Sequence, residues 1–379
     1  MDAPQIIFAG GGTGGHIFPA LAIAEEVVKA VPSAGISFVV SQRPLDADIL
    51  RKLRLAGQPA RFSPVSARPF GVSPKVLYRF VSDWGMSVRE CRAILRDAKQ
   101  QGPCVLVAMG GFVAAPAAQA ARVEKVPVLL VNLDAVPGRA NRWIAKRAAR
   151  VVTSAPIAHG GFPSWETIPP IVRAGAISHQ SPAQCRRALG LAPHRPTLLV
   201  TGGSQGATSI NDFLAAFSQS PQHASALTGW QVIHQTGPGR GEESVRAAYA
   251  QANVPALVAP FLDRMGDCWG AADLSVCRSG AGNVGEVWAS RVPSIFLPYP
   301  YHKDQHQKFN AQVLVKSAGA VLCEDRITRD ANIAGVAPVL SELLRNTSKR
   351  DAMKAALTGL GPADGAGTAA RAIITMAVP

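Results

Sequence analysis

Short, unbroken apolar runs recur along this chain, and most lead into a turn and then a stretch of helical periodicity. They are Gln5–Phe8, Ser37–Val40, Cys104–Ala108, Val126–Val131, Val151–Ser154, Thr197–Thr201, Gln231–His234, Ala256–Ala259, Leu274–Cys277, Ser294–Pro298 and Ala320–Cys323. Val, Ile and Leu in continuous runs mark strands covered on both faces, as in parallel sheets. Helical patterns such as Ala20–Val31 and Asp304–Lys316 fill the intervals, which predicts a doubly wound α/β architecture. The series restarts at Leu198–Phe217, which repeats the strand, glycine turn and helix of Ile6–Val27. A length of 379 residues also exceeds one ordinary core. The expected fold is two Rossmann-like α/β domains facing across a cleft, residues 1–175 and 176–354. Gly160–Gly175, with three prolines, is the expected linker. Beyond it, Ser181-Pro182 reads as a helix start and Gly190 as a helix end. A helical region over about 355–379 is expected to pack back on the first domain.

Hydrophobic residues make up 47% of the chain, enough for two cores. None of the six cysteines forms a C-x-x-C, and most sit in apolar runs, which predicts buried, reduced thiols. The residues before the first strand show neither a basic leader nor a signal core, and no apolar run approaches the roughly 20 residues of a membrane span. The expected location is the cytoplasm. Residues 1–150 carry 20 Lys and Arg against 10 Asp and Glu, whereas the remainder carries 19 against 15. The basic first half suits an anionic partner: a phosphorylated substrate, an anionic lipid or nucleic acid. No nucleic-acid motif accompanies the charge. Arg61–Trp84 mixes Arg61, Arg68, Lys75 and Arg79 with Phe62, Phe70, Leu77, Tyr78, Phe80 and Trp84. That mixture fits either an anionic membrane surface or a core helix with a solvated basic face.

Gly10, Gly12 and Gly15 satisfy the dinucleotide spacing G-x-G-x-x-G. The second strand, however, ends in Ser41-Gln42-Arg43 instead of the acid that would bind a ribose, although Arg43 could be argued for NADP. The loop therefore reads as an anion-tolerant turn that presents His16. An imidazole there is suited to accept a proton from a hydroxyl nucleophile. In the second half, Arg278, Ser279 and Gly280 form another strand-to-helix turn, and Glu286 lies on the helix that follows. Glu286 is either a ribose ligand or a solvated helix acid. His302, Lys303, Asp304, His306 and Gln307 cluster after a strand and suit sugar hydroxyls, while their close spacing is poor for a metal. Asp46-x-Asp48 falls in a helical pattern and is expected at the surface. No pair of acids stands out as a glycosidase dyad.

With these residues in view, the sequence resembles the MurG family of N-acetylglucosaminyltransferases. The matching stretches are GGGTGGHIFPALAIAEE, MGGFVAAPAAQAA, DAVPGRANRWIAK, TGGSQGATSIND, FLDRM, CRSGAGNVGE and YHKDQHQKFNA, in the family's order and along essentially the whole chain. The resemblance implies a glycosyltransferase B fold and an inverting transfer. N-acetylglucosamine would pass from UDP-GlcNAc to the C4 hydroxyl of a lipid-linked muramyl pentapeptide at the cytoplasmic face of the membrane. His16 would be the base, with Thr13, Gly14, Gly15, Gly110, Gly111 and Asp134 on the acceptor side. Ser204, Gln205 and Gly206 would meet the diphosphate. Phe261 with the turn Arg278, Ser279 and Gly280 would enclose uracil, Glu286 would bind ribose, and His306 and Gln307 would meet the transferred sugar. No metal and no cofactor are implied, because helix starts supply the positive potential. This chain departs from the family at Val131-Asn132-Leu133-Asp134, where H-E-Q-N is expected, and at His179, where an Arg is expected. Phe112 and Ala114 replace two hydroxyl residues. These changes leave open another acceptor for a UDP-sugar transferase, a nucleotide-binding protein without catalysis, or a UDP-sugar epimerase.

Overall fold

The computed structural model describes residues 3–11, 14–51, 54–55, 57–69, 74–158 and 165–377. The chain divides into two compact units, Met1–Arg173 with Asp364–Pro379, and Ala174–Ala363.

The first unit is built on β1 (Gln5–Ala9), β2 (Gly35–Ser41), β3 (Arg61–Val65), β4 (Cys104–Ala108), β5 (Val128–Asn132), β6 (Arg150–Thr153) and β7 (Glu166–Thr167). They form one parallel sheet in the order β3-β2-β1-β4-β5-β6-β7. The second unit has β8 (Thr197–Thr201), β9 (Gln231–Gln235), β10 (Ala256–Ala259), β11 (Leu274–Cys277), β12 (Ser294–Phe296) and β13 (Ala320–Leu322). Its order, β10-β9-β8-β11-β12-β13, repeats the plan of the first six strands of the other sheet.

All eleven expected strands are present, because runs such as Cys104–Ala108 and Thr197–Thr201 are buried at every residue. Apolar side chains that leave water on both faces supply the stabilisation, roughly 1.5–3 kcal/mol for each large one. In the first unit Ile7, Ala9, Leu106 and Ala108 pack with Leu95, Val113 and Ala117 from the helices Pro74–Gln101 and Gly111–Glu124. In the second, Leu198 and Val200 pack with Phe213, Phe217 and Leu340. The helix Pro182–Ala188 starts with a capping box: Ser181 Oγ accepts from Gln184 N, and Gln184 Oε1 accepts from Ser181 N at 2.9 Å.

Several expectations need correction. Residues 355–363 stay with the second unit as the end of the helix Thr347–Gly359, and only the helix Gly365–Ala377 joins the first. That last helix packs on the helix Gly14–Ala30. Arg61–Trp84 is not one surface element: Arg61–Val65 is an edge strand, and a long helix begins at Pro74. Phe70, and the side chains of Lys75, Leu77, Tyr78, Arg79 and Phe80, lie outside the described residues. So does part of the expected linker, residues 160–164. Asp46 is fully buried, not a surface acid. Its carboxylate accepts from Ser41 N at 3.2 Å and from Ser41 Oγ at 2.5 Å, closing the loop after β2. The cysteines are unpaired thiols; five are buried and Cys323 is half-buried. No described helix is long and apolar enough to cross a membrane.

His234 on β9 is sealed in the second core, with its ring nitrogens 3.0 Å from Tyr249 Oη and 3.1 Å from Asn211 Oδ1. Burial lowers its pKa to about 3. Below pH 6.5 the unfolded chain therefore binds a proton that the folded chain refuses, and stability falls until about pH 3. Urea titrations across that range should show a loss on the order of 4 kcal/mol from this group alone, absent in His234→Gln. An equal pH slope in the variant would contradict it.

Candidate active site

In an open parallel sheet, ligands bind beyond the carboxyl ends of the strands where the strand order reverses. In each unit that point lies between the first and fourth strands, β1 with β4 and β8 with β11. The glycine turns found in the sequence sit at these points.

In the first unit the helices Gly14–Ala30 and Gly111–Glu124 both begin beside the switch point. Gly111 has φ +75°, and a Cβ there would lie 3.2 Å from Gly11 O and 3.3 Å from His16 Cε1. Glycine thus lets the second turn lie flat against the imidazole. Gly10 and Gly11 answer similar crowding by Met109 and Asp46. His16 is half-buried and Gly15 exposed, while Thr13 lies outside the described residues. Desolvation lowers the His16 pKa below 6.5, against the opposing pull of Asp134 and then Asp46. At neutral pH the ring is therefore an uncharged base, and two carboxylates stand ready to stabilise the imidazolium it becomes.

Asp134 is held in place by Asn132. The Asn132 amide donates to Asp134 O at 2.7 Å and to Thr153 Oγ1 at 2.9 Å, and its oxygen accepts from Asn141 Nδ2 at 2.9 Å. A carboxylate at 132 could not make the two donations. Asn141 Oδ1 also crowds Gly110, at 2.7 Å from a Cβ built there. The altered stretch 131–134 is thus a satisfied network that places its acid at 134.

In the second unit the turn Gly202–Ala207 packs backbone to backbone on the turn after β9. A Cβ on Gly206 would come within 1.9 Å of Thr236 O, and one on Gly237 within 2.5 Å of Gln205 O. Gln235 Nε2 donates to Gly203 O at 2.8 Å, and Arg240 Nε to Gln205 O at 2.5 Å. Ser204 and Gln205 remain exposed at the start of the helix Thr208–Gln219. The neighbouring turn Arg278–Gly280 leads into the helix Ala281–Ser290.

The Arg278 side chain is turned inward. It pairs with the fully buried Asp325 at 2.6 Å and donates to Leu297 O at 2.7 Å and Ser209 Oγ at 3.0 Å. What this position can offer a base is its backbone, not its guanidinium. Ser279 Oγ is buried and has no hydrogen-bond partner among the described residues, beside a helix start. Glu286 is half-buried, and its Oε2 accepts from Trp269 Nε1 at 2.7 Å, so it is no freely solvated acid. Phe261 is 47% exposed beyond β10. Gln307 accepts from Tyr299 N at 2.9 Å, and His306 Nδ1 lies 2.8 Å from Asp304 Oδ1. The His302 and His306 rings stack at 4.3 Å, and the described residues hold no His, Cys, Asp and Glu group able to bind a metal. His179 is exposed before the capped helix.

The sequence places Asp46 at the surface and Asn132 only as a departure from the family, and it assigns Asn141, Asp325 and Arg240 no role, because polar residues outside a glycine motif carry no spacing signal. Only Asp46 gave a cue, as an acid in the first turn of the helix Pro44–Arg51.

Fold and sites together define a two-unit parallel α/β protein with a glycine-rich strand-to-helix turn at the switch point of each unit. Residues 6–153 match the glycosyltransferase family 28 N-terminal domain, and residues 197–368 match the family 28 C-terminal domain. The chain belongs to glycosyltransferase family 28. A UDP-N-acetylglucosamine–N-acetylmuramyl-(pentapeptide) pyrophosphoryl-undecaprenol N-acetylglucosamine transferase of Desulforudis audaxviator (strain MP104C) is 33% identical over 365 residues, covering 93% of this chain and 94% of that one. A relative of the same name from Saccharopolyspora erythraea is 37% identical over 330 residues, covering 85% and 82%. The crystal structure of Acinetobacter baumannii MurG shares the fold, with a TM-score of 0.71 at 23% identity over 98% of this chain and 99% of that one.

Gly206 has φ +69° as well as the contact with Thr236 O, so Gly206→Ala should cost more than about 2 kcal/mol in chemical denaturation. Gly239→Ala, with open space around its Cβ and φ +69°, should cost about 1 kcal/mol. Equal losses would contradict the packing described for the 202–207 turn.

Proposed function

We propose that the protein transfers N-acetylglucosamine from UDP-GlcNAc to the C4 hydroxyl of a lipid-linked muramyl pentapeptide, inverting the anomeric carbon. The observation that carries this reading is His16, uncharged and flanked by Asp134 and Asp46 against the Gly110-Gly111 turn. The match to relatives that bear this activity in their names, over 93% and 85% of this chain, supports the choice of substrates.

In the first unit the acceptor diphosphate lies at the glycine-rich helix starts, whose unpaired N–H groups favour anions. His16 takes the proton of the C4 hydroxyl as its oxygen bonds to the anomeric carbon. The bond from that carbon to the UDP oxygen breaks with its electron pair, and UDP leaves as the anion. Ser204, Gln205 and Gly206 at the helix start stabilise the charge that develops there, and Phe261 with the turn Arg278–Gly280 encloses the uracil. Glu286, fixed by Trp269, binds the ribose, and Gln307 and His306 meet the sugar. The protein works at the cytoplasmic face of the membrane. Its first half, with 20 Lys and Arg against 10 Asp and Glu, favours an anionic lipid surface.

The test is incubation with UDP-GlcNAc and a lipid-linked muramyl pentapeptide analogue. Disaccharide should form one for one with UDP. UDP release without disaccharide would contradict the proposal, and transfer to another acceptor alone would favour the runner-up, a related transferase. His16→Ala should lower kcat by about 10²–10⁴. In the wild type, kcat/KM should rise with pH along a limb centred below 6.5, as His16 loses its proton; the variant should lack that limb.

A further inference from the structure

We propose that Arg240 supplies the positive charge that holds the diphosphate of the sugar nucleotide and stabilises it as it leaves. The inference rests on the transferase reading above and adds a cation to a turn, Gly202–Ala207, whose own side chains are uncharged.

Arg240 lies in the loop after β9, between Gly239 and Gly241, whose φ values are +69° and +74°. Left-handed glycines on both sides let the loop bend back, and Arg240 N closes it by donating to Gly237 O at 3.3 Å. The backbone there is anchored from the core. Asn211, 1% exposed, donates to Arg240 O and to Thr236 O, each at 3.0 Å, while its Oδ1 lies 3.1 Å from the sealed His234 ring. The side chain is fixed as well. Arg240 Nε donates to Gln205 O at 2.5 Å, and Nη1 donates to Thr208 Oγ1 at 3.0 Å. The guanidinium thus bridges the 202–207 turn and the first residue of the helix that follows it. Its Nη2 group has no acceptor among the described residues.

Among the described residues no carboxylate pairs with Arg240, and the acid two residues on, Glu242, is taken by Arg246. The position is also unfavourable in itself. A helix start carries partial positive charge, so a cation beside it is repelled. This start has no acid in its first turn and no side-chain cap at Ala207 to offset that. A solvated arginine would swing away from such a place, whereas this one is tied to it through both its backbone and its guanidinium. An anion at the turn changes the balance, because the helix start and the guanidinium both attract it. Ser204 and Gln205, exposed on the same turn, are the groups that meet the diphosphate in the transferase reading. A guanidinium already fixed there needs no reorganisation as charge builds on the departing oxygen.

The experiment measures binding of UDP, UMP and uridine to the full chain by calorimetry. Wild type should bind UDP more tightly than UMP, and UMP more tightly than uridine. Arg240→Gln keeps an amide donor for Gln205 O and removes the charge. It should weaken UDP on the order of tenfold, and uridine by about twofold or less. Arg240→Lys, which keeps the charge and loses the fork, should fall between. Added salt should weaken UDP binding more in the wild type than in Arg240→Gln. Arg246→Gln, which removes an equal charge from the following helix, should leave UDP affinity within about twofold. Matching melting curves verify the fold of each variant. Equal losses of UDP and uridine in Arg240→Gln would reduce Arg240 to a brace for the turn and overturn the proposal. So would a loss of UDP affinity in Arg246→Gln as large as that in Arg240→Gln. An unchanged UDP affinity in Arg240→Gln overturns the proposal and leaves the transferase reading standing. A wild type that binds UDP no better than uridine overturns the place of the diphosphate in that reading, and this proposal with it.

Discussion

Both units depend on one pairing, that of the first strand with the fourth: Gln5–Ala9 on Cys104–Ala108, and Leu198–Thr201 on Leu274–Cys277. The strand order reverses there, so the connections on either side leave in opposite directions and their turns stand open beyond the sheet. Each turn must then pass close to its neighbour, and glycine makes that approach possible. Met109 N donates to Ala9 O at 2.8 Å, and Arg278 N to Thr201 O at 3.2 Å, so the ladders continue into the turns that bear the candidate residues.

The same plan is furnished differently in the two units. The first offers a titratable ring whose proton affinity is set by burial against two carboxylates. The second offers backbone donors, hydroxyls and amides over a rigid base. That base includes the Arg278–Asp325 pair, with Ser209, Asn332 and Ile327 N satisfying the remaining oxygen sites. Removing one partner from such a pair leaves a buried charge, typically at a cost of about 3–5 kcal/mol. Its role is to fix the turn that carries Ser279. A proton acceptor and a cradle for a departing anion are two requirements of a glycosyl transfer, and under the proposed reading each unit supplies one.

Much of this was legible in the sequence for a physical reason. Strands covered on both faces need continuous apolar residues, so eleven could be located by composition alone. Arg61–Val65 escaped because an edge strand reading R-F-S-P-V has no such run, and Glu166–Thr167 is exposed throughout. The last helix was misdrawn because Ala-rich sequence runs through residues 350–376, and only the Gly359-Leu360-Gly361-Pro362 break marks where the chain returns to the first unit. Glycine spacing marked the turns at the switch points, since few other residues tolerate such contacts. What spacing could not convey was side-chain direction. Arg278 falls in the right motif and points into the core, while Asp46 belongs to a surface-like helical pattern and is buried beside the site.

The central claim is a division of labour, with the nucleotide held by the second unit and the proton acceptor by the first. Amide hydrogen exchange with UDP alone tests it most directly. The account predicts slowed exchange in the 202–207 turn and in Arg278–Gly280, with exchange across Gly10–Gly15 and Gly110–Gly111 unchanged. Protection of the first-unit turns with none in the second would contradict it.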